Sequence, residues 1–101
     1  MKLFNKTIMV YDNNLITYNK TVDYGKLIGR IIKKFRLEQE ISQIQLSLNC
    51  NISTGYMSRL ERGKFDSPTL VTLFKILKEL DVTMHDFLLE LETQIKKSLE
   101  S

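Results

Sequence analysis

The spacing of apolar residues along the chain changes character near Asp23. Before it, Thr7-Ile8-Met9-Val10-Tyr11 and Leu15-Ile16-Thr17-Tyr18 are rich in β-branched and aromatic residues. Asp12-Asn13-Asn14, lying between them, tolerates the positive φ of a tight turn. The pattern predicts a β-hairpin over residues 7–18, with a flexible arm as the alternative. A lone hairpin is marginal in water, so it needs a surface to pack on.

After Asp23 the period is helical. Ile28, Ile32 and Phe35 recur at the spacing of one buried helix face. Ser42, with Gln45 after it, has the form of a capping box and opens a short helix over Gln43–Asn49 with Leu46 inward. Asn51 suits a left-handed turn residue. Ser53 caps the next helix, Met57 and Leu60 are its inward residues, and Gly63 stops it. Ser67-Pro68 is read as the opening of a fourth helix, serine as cap and proline in the first turn, with an apolar stripe of Leu70, Leu73, Leu77 and Leu80. Thr83 caps a fifth helix that starts at Met84 and runs almost to the end. The fold expected is all-α, five helices behind a short N-terminal hairpin or arm. Residues 1–22 form the arm, 23–89 the domain and 90–101 a C-terminal helix extension.

Composition narrows the class. At 101 residues the chain is one domain's length, and 43% hydrophobic with 27% charged residues is a globular rather than a disordered profile. No apolar run approaches the roughly 20 residues of a membrane span, and no signal peptide is visible. The single cysteine, Cys50, excludes an internal disulfide and fits a reducing cytoplasm. It is read as a small buried hydrophobe rather than a redox sensor. His85, the lone histidine, has no partners at metal-ligand spacing and is read as a surface residue. No Ser/His/Asp set, phosphate-binding glycine loop or metal cluster is present in the sequence, so no enzyme activity, cofactor or metal is expected.

Charge adds a direction. Between Lys26 and Lys64 stand eight Lys/Arg against three acids, Glu38, Glu40 and Glu61. From Val82 onward Lys96 and Lys97 face Asp86, Glu90, Glu92 and Glu100. A basic middle and an acidic tail favour a nucleic-acid face in the middle over an evenly solvated surface. That middle holds two short helices joined by a tight turn, the arrangement of a helix-turn-helix. A helix entering a major groove about 12 Å wide needs polar residues on its exposed side and apolar anchors on the other. Helix starts at Gln43 and Thr54 aim backbone N–H groups at phosphates.

The stretch from Ile41-Ser42-Gln43 to Glu61-Arg62-Gly63-Lys64 resembles the Cro/C1-type (XRE) helix-turn-helix family. Ser42, Gln43, Leu46, Ile52, Ser53, Tyr56, Ser58, Arg59, Glu61, Arg62 and Gly63 carry the match, and Ser58-Arg59-Leu60-Glu61-Arg62-Gly63-Lys64 is its most specific run. Glu40 and Asn51 stand where the family usually has glycine, and Ser47 where it usually has alanine. The resemblance extends from about Leu27 to Leu88 and implies a lambda-repressor-like domain that regulates transcription on double-stranded DNA. It implies base contacts from Thr54, Gly55 and Arg59, and phosphate contacts from Gln43, Ser53, Arg62 and Lys64. Tyr56 is either a phosphate contact or a packing residue. Arg59 has a solvated surface charge as its alternative reading. Glu61 is expected to pair with Arg36 rather than to act in catalysis.

Met84, Leu88, Leu91, Ile95 and Leu99, joined by Phe87, form a stripe along the last helix. The domain's own core is expected to bury Phe87 and Leu88 but to be too small for Leu91, Ile95 and Leu99. Those three are expected at a homodimer interface, with the hairpin of the same chain as the alternative cover. A different class of function competes with the regulator: an antitoxin or adaptor that grips a protein partner through the arm and the C-terminal helix.

Overall fold

The computed structural model describes residues 7–11, 16–64 and 68–100, with side chains for 22–64 and 68–100. Among them are two strands, β1 (Thr7–Tyr11) and β2 (Ile16–Thr21), and five helices. The helices are α1 (Tyr24–Glu38), α2 (Gln43–Cys50), α3 (Thr54–Glu61), α4 (Leu70–Glu79) and α5 (Met84–Glu100). The strands pair antiparallel, Thr7 opposite Thr21 and Val10 opposite Tyr18, with an irregularity between Val10 and Tyr11. The second strand thus runs three residues beyond the expected Tyr18. The expected turn at Asp12–Asn14 lies outside the described residues, as does whatever the hairpin side chains touch.

Every helix starts on a side-chain cap, in which an oxygen of Asp23, Ser42, Ser53, Thr69 or Thr83 accepts a hydrogen bond from the backbone N–H three residues on. Such a cap satisfies one otherwise orphaned donor and is worth about 1 kcal/mol. For α4 the cap is Thr69, two residues past the expected site, and Pro68 sits buried before the helix. Ser67 is outside the described residues. At Ser42 the serine half of the capping box forms, and the Gln45 amide turns along the helix to donate to Asn49 Oδ1.

The first four helices end alike. Glu40, Asn51, Gly63 and Asp81 all have positive φ, 57°, 57°, 72° and 56°. After each, the next residue's N–H reaches back to a carbonyl of the helix, as in Ile41 to Arg36 (3.2 Å) and Lys64 to Arg59 (2.9 Å). These are Schellman closures, in which a left-handed residue lets the chain turn and cover the last carbonyls. Glycine occupies one of the four positions.

The core lies between α1, the α2–α3 pair, α4 and the start of α5. Ile31, Ile32, Leu46, Met57, Ile76, Leu80 and Phe87 are at most 1% exposed. Two expected core positions are corrected. Leu70 is 61% exposed and Leu88 51% exposed, while Ile76 takes the inward place on α4. A periodic stripe locates a face but not its centre, and both leucines fall on the flank of theirs. A second, smaller cluster partly covers the end of α5 within its own chain. Val22 and Leu27 are buried there, with Tyr24, Leu91, Ile95 and Leu99 packed around them. α5 runs unbroken across residues 89–90, and its last turns lie on the start of α1.

Candidate nucleic-acid interface

Helix α3 is eight residues long, too short to hold itself together in water, so its position depends on what lies beneath it. Met57 and Leu60 point into the core, at 0% and 1% exposure. Beside them α1 approaches very closely. A methyl group added to Gly29 would come within 2.2 Å of the Leu60 carbonyl oxygen, so only glycine fits where the two helices cross. A methyl on Gly63 would meet Lys26 Cα at 2.7 Å, which ties the closure of α3 to the first turn of α1.

The third fastening is polar. Arg36 grips Glu61 with two parallel bonds, Nε to Oε2 at 2.6 Å and Nη2 to Oε1 at 2.9 Å. Gln43 Nε2 donates to the same carboxylate at 2.9 Å, and Arg36 Nη1 donates to the Ile41 carbonyl at 2.7 Å. Arg36 and Glu61 are both buried, at 7% and 8% exposure. The charges neutralise each other, and one network joins the end of α1, the start of α2 and the end of α3. Ser47, buried in α2, donates its hydroxyl to the Gln43 carbonyl at 2.6 Å, so a polar side chain is satisfied where alanine is usual.

On the outer side, Ser53, Thr54, Gly55, Arg59, Arg62 and Lys64 are exposed, whereas Gln43 and Tyr56 are half-buried. The Ser53 oxygen accepts from the Tyr56 N–H, and the Tyr56 ring packs against the core. A methyl on Gly55 would lie 3.4 Å from Arg59 Nη1, so the guanidinium leans back over the first turn of α3 into the space Gly55 leaves. Sequence reasoning did not find this packing relation, nor the role of Gly29, although an isolated glycine inside a helical pattern is the usual trace of a close approach.

Other residues singled out in the sequence lie elsewhere. Cys50 is buried, its Sγ is 3.8 Å from the Lys75 carbonyl, and burial together with the charge of Glu79 pushes its thiol up to about 11. His85 is exposed. Among the described residues no group of three His, Cys, Asp or Glu is placed to hold a metal, and no helix is long and apolar enough to cross a membrane.

Known proteins resemble much of this arrangement. The family model described as helix-turn-helix matches residues 32–87. The transcriptional regulator SlrR of Bacillus subtilis (strain 168) is 32% identical over 73 residues, which are 72% of this chain and 47% of SlrR, so the chain spans about half the length of that relative. The solved structure of the restriction-modification controller protein C.Esp1396I superposes with a TM-score of 0.68 at 31% identity, covering 73% of this chain and 95% of that one. The biofilm master regulator SinR, solved in complex with DNA, superposes with a TM-score of 0.57 at 33% identity over 60% of this chain and 97% of that one. With the α2–turn–α3 geometry and the match through α4 and into α5, the chain belongs to the helix-turn-helix family of the Cro/C1 type.

Proposed function

We propose that this chain is a transcriptional regulator that binds specific duplex DNA through α3 and does so as a homodimer in the cytoplasm. The observation that carries the reading is the two-sidedness of α3. Met57, Leu60 and Glu61 are buried and fastened, while Thr54, Gly55 and Arg59 face outward on a helix of fixed position. The likeness to SinR, solved with DNA, and to SlrR supports the same reading.

In this reading the base contacts come from Thr54, which offers its methyl to thymine, and from Arg59, whose fork suits guanine O6 and N7. Gly55 contributes by leaving room for the Arg59 guanidinium. Phosphates are held by the backbone N–H groups at the starts of α2 and α3, and by Gln43, Ser53, Tyr56, Arg62 and Lys64. Gln43 already gives one amide hydrogen to Glu61, so its contact draws on its remaining hydrogen and its backbone N–H.

A homodimer suits the readout, because one recognition helix reads only a few base pairs and two-fold pairing sets half-sites about 34–36 Å apart. Leu91, Ile95 and Leu99 are half-buried within their own chain and offer only an edge. Beside them Leu88 and Leu89 of α5 stand 51% and 52% exposed, and a second copy is their proposed cover. Leu88→Glu with Leu89→Glu is expected to leave the fold intact and give monomers in sedimentation. Leu91→Glu with Ile95→Glu is expected to loosen α5 from Val22 and Leu27 as well.

The central test is selection of binding sites from random duplex DNA, followed by titration against the selected site. Arg59→Ala should cost about 1–3 kcal/mol on that site and relax the preference at one base pair. Lys64→Ala should weaken all sequences equally and lower the salt slope by about one unit. Gly55→Gln should disturb the same base pair as Arg59→Ala. Affinity that is indifferent to both sequence and salt would overturn the reading.

A further inference from the structure

A groove of about 420 Å³ opens between the first half of α1 and the last turns of α5. Lys26 and Arg30 line one wall, Gln94 and Lys97 the other, and the buried side chain of Leu27 lies between them. Asp23 and Ser98 complete the lining.

The charges there are unbalanced. Against three cations the lining has one carboxylate, which makes a net charge of +2. That carboxylate is already occupied, since Asp23 Oδ1 accepts the Lys26 backbone N–H at 3.0 Å as the helix cap. The ion pairs among the described residues join Lys34 to Glu90, Arg36 to Glu61 and Lys96 to Glu92, so none of them engages Lys26, Arg30 or Lys97. Glu90, the next acid along α5, accepts hydrogen bonds from Lys34 and Gln94 and feels Lys97 at longer range without pairing with it. Like charges converging on a concave surface repel one another and focus a positive potential into it, and a bound anion relieves both effects. The volume falls in the range of small-ligand sites, and cationic walls facing each other across a concave surface suit a compact anion.

We propose that this groove binds a small dianion, of the chemical class of phosphorylated metabolites, with Arg30 and Lys97 closing on the phosphate from opposite walls and Lys26 beside them. The site bridges α5 and the helix whose Gly29 backs α3, so its occupant touches the element that positions the recognition helix.

The test uses the full chain, with inorganic pyrophosphate as the probe at constant ionic strength and amide chemical shifts as the readout. Saturable shifts confined to residues 23–30 and 94–98 are expected, weakened at least tenfold in Arg30→Gln with Lys97→Gln. Ser98→Asp, which adds a carboxylate to the lining and removes no cation, should abolish them independently. Shifts that never saturate, or that survive both variants, would overturn the proposal. A second arm measures duplex DNA affinity against salt for the double variant. An unchanged slope is expected, whereas a loss of about one unit per residue would assign the groove to the DNA backbone and overturn the small-anion reading.

Discussion

The two junctions that α1 makes hold its neighbours in opposite ways. At the junction with α3, Arg36 and the Gly29 crossing fasten the helix through buried bonds and a contact that admits no side chain. At the junction with α5, Val22 and Leu27 hold the last turns through Leu91, Ile95 and Leu99, all half-buried. The first junction is intolerant and directional, as a helix that must meet DNA in one orientation requires. The second is an apolar contact between half-buried side chains, as suits a segment proposed to face a second copy. Precision in this chain is concentrated on one side of one helix.

The sharpest way to break that contrast is Glu61→Ala. Removing one partner of a buried pair leaves the other uncompensated and costs about 3–5 kcal/mol. Chemical denaturation should show it, and replacing Arg36 and Glu61 jointly with apolar residues should cost less. Gly29→Ala follows, at about 1–3 kcal/mol, because the added methyl meets backbone and not a movable side-chain end. Leu99→Ala, at the other junction, should cost about 1 kcal/mol, being half-buried at the start. If Leu99→Ala matched Glu61→Ala, the two junctions would be equally rigid and the contrast would fail. Glu40→Gly should raise stability by up to about 1 kcal/mol, since it relieves a left-handed glutamate.

The smallest effect belongs to Glu90. Hydrogen bonds from Gln94 and Lys34 hold its carboxyl below the ordinary 4.5. A depressed carboxylate adds stability above its unfolded pKa and loses it as the pH falls through the folded one. With Lys34 half exposed, the contribution is a fraction of a kcal/mol. Glu90→Gln should therefore flatten the fall in melting temperature below about pH 4.5 and leave it unchanged near neutrality.

The helices and three of their five caps were legible because Ser42, Ser53 and Thr83 stand where a helical period begins, while Asp23 marked only the change of period and was not read as a cap. Thr69 was hidden behind the stronger serine–proline signal just before it. The face of α5 was legible, yet its cover was not, because Val22 and Leu27 lie about seventy residues away and periodicity carries no record of partners. Gly29 reads in sequence as a mere weakening of α1; its meaning comes from a carbonyl on another helix. Arg36 and Glu61 came into view through family resemblance, since no local rule links positions 25 apart.

Each of the two short helices is delimited at both ends, by a serine oxygen at its start and a left-handed residue at its finish. Neither can lengthen by a turn nor fray without breaking a named bond. The ordering entropy that a loosely held reading helix would lose on meeting its target is therefore already spent during folding. Calorimetry should show it as a binding heat capacity accounted for by the contact surface alone, with none of the excess that marks a segment folding onto its partner.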